Sequence, residues 1–331
     1  MSTPDDHSAN PAGPAGSRPA GGAAAGQSPP EAIKAVPVRH PGRWVAAAVL
    51  LLFAAMFVNM LVTNDAFDWP FLFENMFSPP VLVGVRTTLI LAAVSLLIGI
   101  VIGIVVAIMR LSDNPILVGL GWLYTWFFRA VPRIVLCVLF GNIAILYQTL
   151  ELGIPFDNYW LPLLGIEGDA RFYSVPMATL LSPFVAAVIA LSLSQGGYMA
   201  EIVRAGLLSV DKGQSEAAQA LGMSRGQVLR RITLPQALRV IVPPTGNEAS
   251  AILKDTSLVS AIPLTTELFF QLQQVGARTF NLFPMLVAAC LWYLMITSVL
   301  MVGQHYLERS FTRGDRGAQE QVRRIKSRAA S

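Results

Sequence analysis

The sequence predicts an all-α integral membrane protein with six transmembrane helices and both termini in the cytoplasm. Of its 331 residues, 54% are hydrophobic and only 13% are charged, and the mean hydropathy is +0.56. A soluble domain carries about a quarter charged residues, so a water-soluble body is excluded. Several apolar runs reach the roughly 20 residues that a helix needs to cross a bilayer. The loops between them are alternately rich and poor in Lys and Arg, which sets the orientation.

The N-terminal segment, residues 1–42, is rich in Pro, Gly, Ala and Ser. Such a composition cannot bury enough apolar surface to offset its ordering entropy, so we expect a disordered cytoplasmic tail. An apolar run at residues 44–62 follows it. A secretory signal peptide is the competing interpretation, but the run starts far along the chain, is too long and lacks a small-residue cleavage site after it. We therefore expect an extra N-terminal transmembrane helix over residues 43–63.

Five further apolar runs follow, at residues 87–109, 117–147, 183–200, about 240–262 and 282–303. The run at 117–147 is too long for one straight crossing, and it is interrupted by Arg129, Pro132 and Arg133. Neither half reaches about 20 residues alone. We therefore expect one broken or kinked helix whose freed backbone groups are buried in protein.

Basic residues distinguish the two sides of the membrane. The loop after residue 200 carries six Lys and Arg residues up to Arg239, and residues 309–331 carry seven. The loop at 148–181 instead has four acidic residues against the single Arg171. Since basic loops remain in the cytoplasm, both termini are predicted there, and residues 309–331 are expected to form a basic cytoplasmic tail.

Residues that commonly bind metals are few and scattered. Cys137 and Cys290 both lie inside apolar runs, which excludes a disulfide framework and a thiolate cluster. His7, His40 and His305 are too widely separated to predict a zinc site. We expect no metal ion, no cofactor and no nucleic-acid partner.

The cytoplasmic segment 211–235 predicts two short, capped helices. Asp211 is a suitable N-cap for the first helix, and Gly222 supplies a left-handed stop after it. Ser224 with Gln227 three residues later has the pattern of a capping box for the second helix. A solvated connector between spans is the simpler interpretation. Connectors are usually short, however, and a doubly capped one is built to be rigid.

The surface of this segment can be predicted as well. The first helix is expected to expose Ala217, Ala218 and Leu221, a low-profile surface that permits close approach of another backbone. The second helix is expected to group its arginines around Val228 and Ile232, and Pro235 is expected to end the unit.

The order Glu216-Ala217-Ala218, Gly222, Ile232 and Leu234-Pro235 resembles, at full spacing, the EAA loop of ABC importer permeases. The flanking sequences look like those of the polar amino-acid permeases: residues 198–204, Gly213-Gln214 and residues 254–259. Residues 128–132 resemble that family's arginine-glycine-x-proline segment, with Ala130 at the usual glycine position. The resemblance covers about residues 85–308.

This resemblance implies the ABC type I importer transmembrane fold, a five-helix core preceded here by one extra helix, in the bacterial cytoplasmic membrane. It implies a permease subunit without catalytic residues. Two permease subunits, identical or paralogous, would form the pathway, two ATPase subunits would bind beneath them, and an extracytoplasmic binding protein would deliver a polar amino acid. The sequence contains no Walker-type GxxxxGK[ST] loop, so ATP is expected to bind on the separate subunit.

The EAA loop would bind in a cleft of the ATPase subunit as the coupling helix. The residues implied in this coupling are Gly213, Gln214, Glu216, Ala217, Ala218, Gly222, Ile232, Leu234 and Pro235.

A candidate pathway lining follows from insertion energies. Within residues 248–262, five aliphatic side chains favour insertion by about 1.5–3 kcal/mol. Lys254 and Asp255 oppose it by roughly 5–7 kcal/mol if they lie near the bilayer centre. The segment therefore cannot face lipid, and must line a cavity, face a partner subunit or lie near an interface. The candidate pathway residues are Arg129, Arg133, Glu248, Lys254, Asp255, Thr256 and Ser257.

Structural roles compete with each of these assignments. The charges near residue 255 would equally form an ion-pair network that holds the bundle together. Arg129 and Arg133 share a helix face only if Pro132 does not break the helix, and they would bind either a substrate carboxylate or loosened backbone carbonyls. Glu201 and Arg204 are expected to pair locally. The small-xxx-small pattern at 99–103 predicts close helix packing.

Two alternative functions remain open. A permease of the same architecture would import another small solute, such as an opine or an organic anion. A secondary transporter or channel would use no ATPase, and the EAA spacing argues strongly against it.

Overall fold

The computed structural model describes residues 41–166, 168 and 170–329, with side chains described as far as Phe311. Most of the predicted N-terminal tail, all but Pro41 and Gly42, lies outside the described residues. So do the side chains of most of the predicted basic tail, although its backbone continues the last helix.

The first half of the described chain contains helices α1 (Pro41–Thr63), α2 (Trp69–Met76), α3 (Pro79–Arg110), α4 (Pro115–Ala130), α5 (Arg133–Gly141), α6 (Ile143–Leu146), α7 (Asp157–Leu163) and α8 (Met177–Leu180), with strands β1 (Thr149–Gly153) and β2 (Arg171–Pro176). The second half contains α9 (Pro183–Leu208), α10 (Lys212–Ala220), α11 (Arg225–Val228), α12 (Leu234–Asp255), α13 (Leu268–Thr279) and α14 (Leu282–Ala329). Short 3-10 helices cover Asp65–Phe67 and Thr256–Ala261, and a π-helix covers Leu229–Thr233.

Four of the described helices are long and apolar enough to cross a membrane, namely α1, α3, α9 and α14 as far as Phe311. Helix α1 has a mean hydropathy of 2.6 and belongs, up to Asn59, to a unit of its own. A fifth crossing exists if α4 and the helical segment Arg133–Leu146 form one span, and these two meet at a bend of 98°. The bend confirms the predicted break in this run. The crossing expected near residues 240–262 stays a prediction, because α12 is too polar to qualify by composition.

Helix α12 also carries two consecutive prolines, Pro243 and Pro244, in its interior. Neither residue has an N–H to donate, so two bonds of the helical ladder are missing at this point.

Helix α9 is central to the second unit and packs against α3, α4, α5 and α12. Its contact with α3 depends on the predicted glycines. A Cβ atom added to Gly103 would lie 2.4 Å from Cβ of Met199, and one added to Gly99 would lie 2.7 Å from Cβ of Gln195. No larger side chain fits at either position without movement, which confirms the close packing that the small-xxx-small pattern predicts.

A buried carboxylate joins three other elements. Glu267 is fully buried and accepts hydrogen bonds from the backbone N–H groups of Phe269 and Phe270, at 2.8 and 3.2 Å, as the N-cap of α13. The hydroxyls of Thr88 in α3 and Tyr293 in α14 donate to its other oxygen at 3.0 and 2.8 Å. Burial raises the pKa of the Glu267 carboxyl, while these four bonds favour its charged form.

The loop predicted outside the membrane contains an antiparallel hairpin of β1 and β2, which the all-α prediction missed. Arg171 fixes the hairpin by bonding Glu151 on the opposite strand and Asn158 in α7. Helix α7 lies between the two strands, so the sequence contains no short turn motif from which their pairing could be predicted.

Candidate functional site

Two regions concentrate the predicted site residues: a knob formed by α10, its turn and α11, in the segment predicted to be cytoplasmic, and a polar cluster among α5, α9 and α12. In the knob, Asp211 caps α10 as predicted, because its carboxylate accepts the N–H of Gly213 at 2.8 Å. Glu216 and Ala217 are exposed on α10, and Leu221 at its end is 86% exposed. Ala218 is buried, contrary to the prediction, since α10 turns this face toward the rest of the knob.

The turn after α10 depends on Gly222, whose φ of +85° lies in the left-handed region. The N–H of Gly222 donates to Gln219 O at 2.9 Å, and the N–H of Met223 donates to Ala218 O at 3.1 Å. Ser224 and Gln227 then form the predicted capping box. These bonds satisfy the backbone groups at both helix ends, so the knob is held internally.

The second helix of the knob does not end at Pro235, so that prediction is wrong. Helix α11 leads directly into the π-helix and then into α12. Pro235 lies in the first turn of α12, where a missing N–H is tolerated next to a π-helical irregularity. The amide of Gln236 donates to Gln214 of α10 at 2.6 Å. The knob is therefore connected to α12 by a continuous helical path and by a side-chain bond.

The polar cluster begins at the break between α4 and α5. Val131 and Pro132 are extended, so Pro132 does separate Arg129 from Arg133. Both guanidinium groups nevertheless lie over the ring of Tyr198 in α9, at 5.5 and 4.9 Å from its centroid. Aromatic faces attract cations at these distances.

Arg133 is largely buried and gathers two of the predicted acidic residues. It donates to Asp255, and its Nη2 lies 3.5 Å from Glu248 Oε2. Gln195 accepts from Arg133 at 3.2 Å and donates to Glu248 at 3.0 Å. With one guanidinium and two carboxylates, this cluster has a formal charge of −1.

A second group of charges surrounds Glu201, further along α9. Arg204 bonds Glu201 at 3.0 Å, which confirms the predicted local pair. Arg110 of α3 also donates to Glu201, and Arg129 lies 3.7 Å from it. Three guanidinium groups and one carboxylate give this group a formal charge of +2. Of this group, Arg110, Arg129 and Glu201 line a cavity of about 370 Å³ together with Trp122, Trp126 and Tyr198.

The remaining candidates lie apart from Arg133. Lys254 is exposed, has no ion pair in the part of the chain described, and lines a separate cavity of about 450 Å³. In this cavity the hydroxyls of Ser250 and Thr297 are buried and have no hydrogen-bond partner among the residues that the structure describes. Thr256 is buried and donates to Leu253 O, while Ser257 donates to Lys254 O, so both hydroxyls bond their own helix.

Five residues of the two charged groups were not predicted as site residues: Arg110, Gln195, Tyr198, Glu201 and Arg204, of which the last two were expected only to pair with each other. Gln195, Tyr198 and Glu201 recur every three residues along α9 and so share one face. This polar spacing inside an otherwise apolar span was the available signal.

A bundle that contains four or five helices apolar enough to cross a membrane, charged side chains between its helices and an exposed, capped knob is typical of a transport subunit. The family model described as "Binding-protein-dependent transport system inner membrane component" matches residues 99–313. The chain belongs to this family and is a multi-pass permease of the bacterial cytoplasmic membrane.

The chain is similar to two curated transport proteins and one solved structure. The arginine transport system permease protein ArgU of Corynebacterium glutamicum is 42% identical over 88% of this chain and 87% of that protein. The L-cystine transport system permease protein TcyB of Bacillus subtilis is 34% identical over 78% of this chain and 98% of that protein. A crystal structure of an amino acid ABC transporter with histidines matches with a TM-score of 0.54 and 28% identity, over 71% of this chain and 95% of the other.

Proposed function

We propose that this chain forms the membrane pathway of an ATP-driven importer for a polar amino acid and couples it to a separate ATPase subunit. The observation that carries the proposal is the knob: the exposed, capped cytoplasmic helix α10 is followed after one turn by α11, which runs without interruption into the helix that bears Glu248 and Asp255. The names of ArgU and TcyB support an amino acid as the solute. A second permease subunit and an extracytoplasmic binding protein complete the proposed importer.

The exposed side of α10 suits contact with an ATPase subunit. Ala217 permits close approach, Glu216 offers a polar contact, and Leu221 is an exposed apolar side chain that loses contact with water on docking. Ala218 is buried inside the knob and holds α10 in place, and Gly222 sets the turn. Gly213 and Gln214 hold the start of α10, the latter through Gln236. Ile232, Leu234 and Pro235 carry the helical path into α12.

The two charged groups along α9 suit a solute that bears both an ammonium and a carboxylate. The group around Glu201 is formally +2 and attracts a carboxylate, whereas the cluster around Arg133 is formally −1 and attracts an ammonium. Tyr198 lies between them under both arginines. A third polar region is the cavity beside Lys254, which the hydroxyls of Ser250 and Thr297 also line. Thr256 and Ser257, whose hydroxyls bond their own helix, shape the end of α12 rather than contact the solute.

The ion pairs of Arg133 also join α5 to α12, so they stabilise one state of the pathway. In the proposed cycle, ATP-driven closure of the ATPase pair moves the knob, and α12 moves with it. Arg133 then loses its contacts with Glu248 and Asp255 as the pathway opens.

The test uses the reconstituted importer and the Gly222→Pro variant. Proline fixes φ near −65° and cannot adopt the +85° of Gly222, so the turn and the docking surface are disrupted. We expect normal membrane insertion, loss of ATPase co-purification and loss of amino-acid uptake. The matched control compares Gly222→Ala with Gly226→Ala. Gly226 has no positive φ and nothing within 4 Å of an added Cβ, so only the first of these should impair uptake.

Competition against uptake by arginine, cystine, an opine and an organic anion identifies the solute class. Uptake that continues in membranes without an ATPase subunit, or at normal levels in Gly222→Pro, contradicts the proposal.

A further inference from the structure

An apolar groove of about 560 Å³ runs along α3, α9 and α12, on a face separate from the charged groups. Leu96, Ile100, Ile104 and Ile108 form one wall, four residues apart along α3. The hydroxyl of Thr245 also lines the groove but already donates to Ile241 O at 2.8 Å. An amino acid would leave its charges unpaired in such a groove, and a buried water needs two to four polar partners. The occupant is therefore apolar along its length.

The length of the groove suits a single hydrocarbon chain. Residues 96–108 of α3 extend over about 18 Å, at 1.5 Å per residue. A hydrocarbon chain that lies parallel to the helices can follow this apolar wall over its whole length.

The cytoplasmic end of the groove is positively charged. Leu229, Leu234 and Leu238 line this end, and Arg230 lies four residues before Leu234, on the continuation of the same helical face. Arg231 follows immediately. Both arginines are exposed, and neither has an ion pair among the described residues. A guanidinium group binds phosphate oxygens through two parallel hydrogen bonds.

We propose that this groove binds a phospholipid of the cytoplasmic leaflet, with an acyl chain between α3 and α12 and an anionic headgroup on Arg230 and Arg231. Charge complementarity with Arg230 and Arg231 selects an anionic lipid, and the apolar length of the groove suits an acyl chain. The lipid would contact the start of α12 directly beside the knob, so its composition would influence how the knob is held.

The experiment uses the full-length chain purified with its co-purifying subunits. It is exposed to phosphatidylglycerol, or to phosphatidylcholine, carrying a diazirine in one acyl chain. After irradiation, the labelled peptides are mapped by mass spectrometry. We expect phosphatidylglycerol to label residues 96–108 and 234–249. Unlabelled phosphatidylglycerol should compete for this labelling, and unlabelled phosphatidylcholine should not.

Two variants separate the headgroup contact from the groove. Arg230→Gln should reduce labelling by phosphatidylglycerol about fivefold, as expected for one basic residue at the membrane surface, and should leave labelling by phosphatidylcholine unchanged. Lys212→Gln removes the same charge from an exposed position in the same cytoplasmic segment and should have no effect. Ala249→Phe fills the groove and should abolish labelling of residues 96–108 by either lipid.

Equal labelling by both lipids, or no response to Arg230→Gln, would overturn the headgroup site. A disulfide between cysteines placed at Ile104 and Leu238 of two separate copies, with no lipid label, would show instead that a second copy fills the groove. Lipid photolabelling and disulfide formation both measure binding, so they are independent of uptake and of ATPase docking.

Discussion

Arg133, in the first turn after the helix break, forms an ion pair with Asp255, the last residue of α12. The two residues lie 122 positions apart in the sequence, and their contact joins the broken helix to the helix that continues from the knob. The same guanidinium group also contacts Glu248 and Gln195, so one side chain links three helices.

Asp255→Asn removes one carboxylate from this cluster and should reduce uptake at least tenfold. The cluster loses its net negative charge, so it no longer attracts the ammonium group of a solute. Uptake and the yield of assembled complex are measured together, and Ser257→Ala is the matched control, since that hydroxyl bonds only Lys254 O among the described residues.

A purely structural role for Asp255 would give the opposite pattern. Assembly would then be lost with Asp255→Asn, because Arg133 would be left partly unpaired. It would return in the double variant Arg133→Gln with Asp255→Asn.

Single cysteines placed along residues 247–257 should react with a membrane-impermeant thiol reagent in a helical pattern. Asn247 and Lys254 are exposed, so cysteines there should react quickly, whereas Ile252 and Leu253 are buried and should be protected. Cys137 and Cys290 are replaced in the background. Labelling should change on addition of ATP and the loaded binding protein. Protection at every position would contradict a water-accessible pathway along α12.

Glu267→Gln should lower the free energy of unfolding by about 1–3 kcal/mol, because the amide nitrogen cannot accept the bonds that a carboxylate oxygen accepts. The measurement is the thermal unfolding midpoint in detergent. Glu74→Gln, an exposed change on α2, should leave the midpoint unchanged. Equal midpoints for both variants would mean that the network around Glu267 contributes nothing to stability.

Deletion of residues 2–38 should leave uptake unaffected. The composition of this segment gives no folding signal, and the sequence resemblance to permeases begins well after it. The deletion ends before the basic residues closest to α1, so insertion should be normal. Normal insertion with no uptake would reveal a role for the tail in transport.

The sequence predicted best what depends on local interactions. The caps of Asp211 and Ser224 and the turn at Gly222 rest on residues a few positions apart, and all three form as expected. The glycines at 99 and 103 likewise announced a close contact, because few other residues would leave room for one.

Features that depend on tertiary contacts were predicted less well. The burial of Ala218 depends on how α10 folds back on the knob, and the strand pairing of Leu152 with Tyr173 depends on a distant segment. Tyr198 was missed as a site residue because its role arises only when two arginines on either side of a helix break converge on its ring.

The adjacent prolines in α12 give the helix a place to flex. From Pro244 to Asp255 the helix is about 17 Å long. A bend of about 15° at the prolines would swing its far end by about 4 Å, which is the full range of an ion pair. A small change of angle would therefore be enough to form or break the Arg133–Asp255 ion pair. A force on the knob would need to produce only that angle, without any sliding of helices past one another, to separate Arg133 from Asp255.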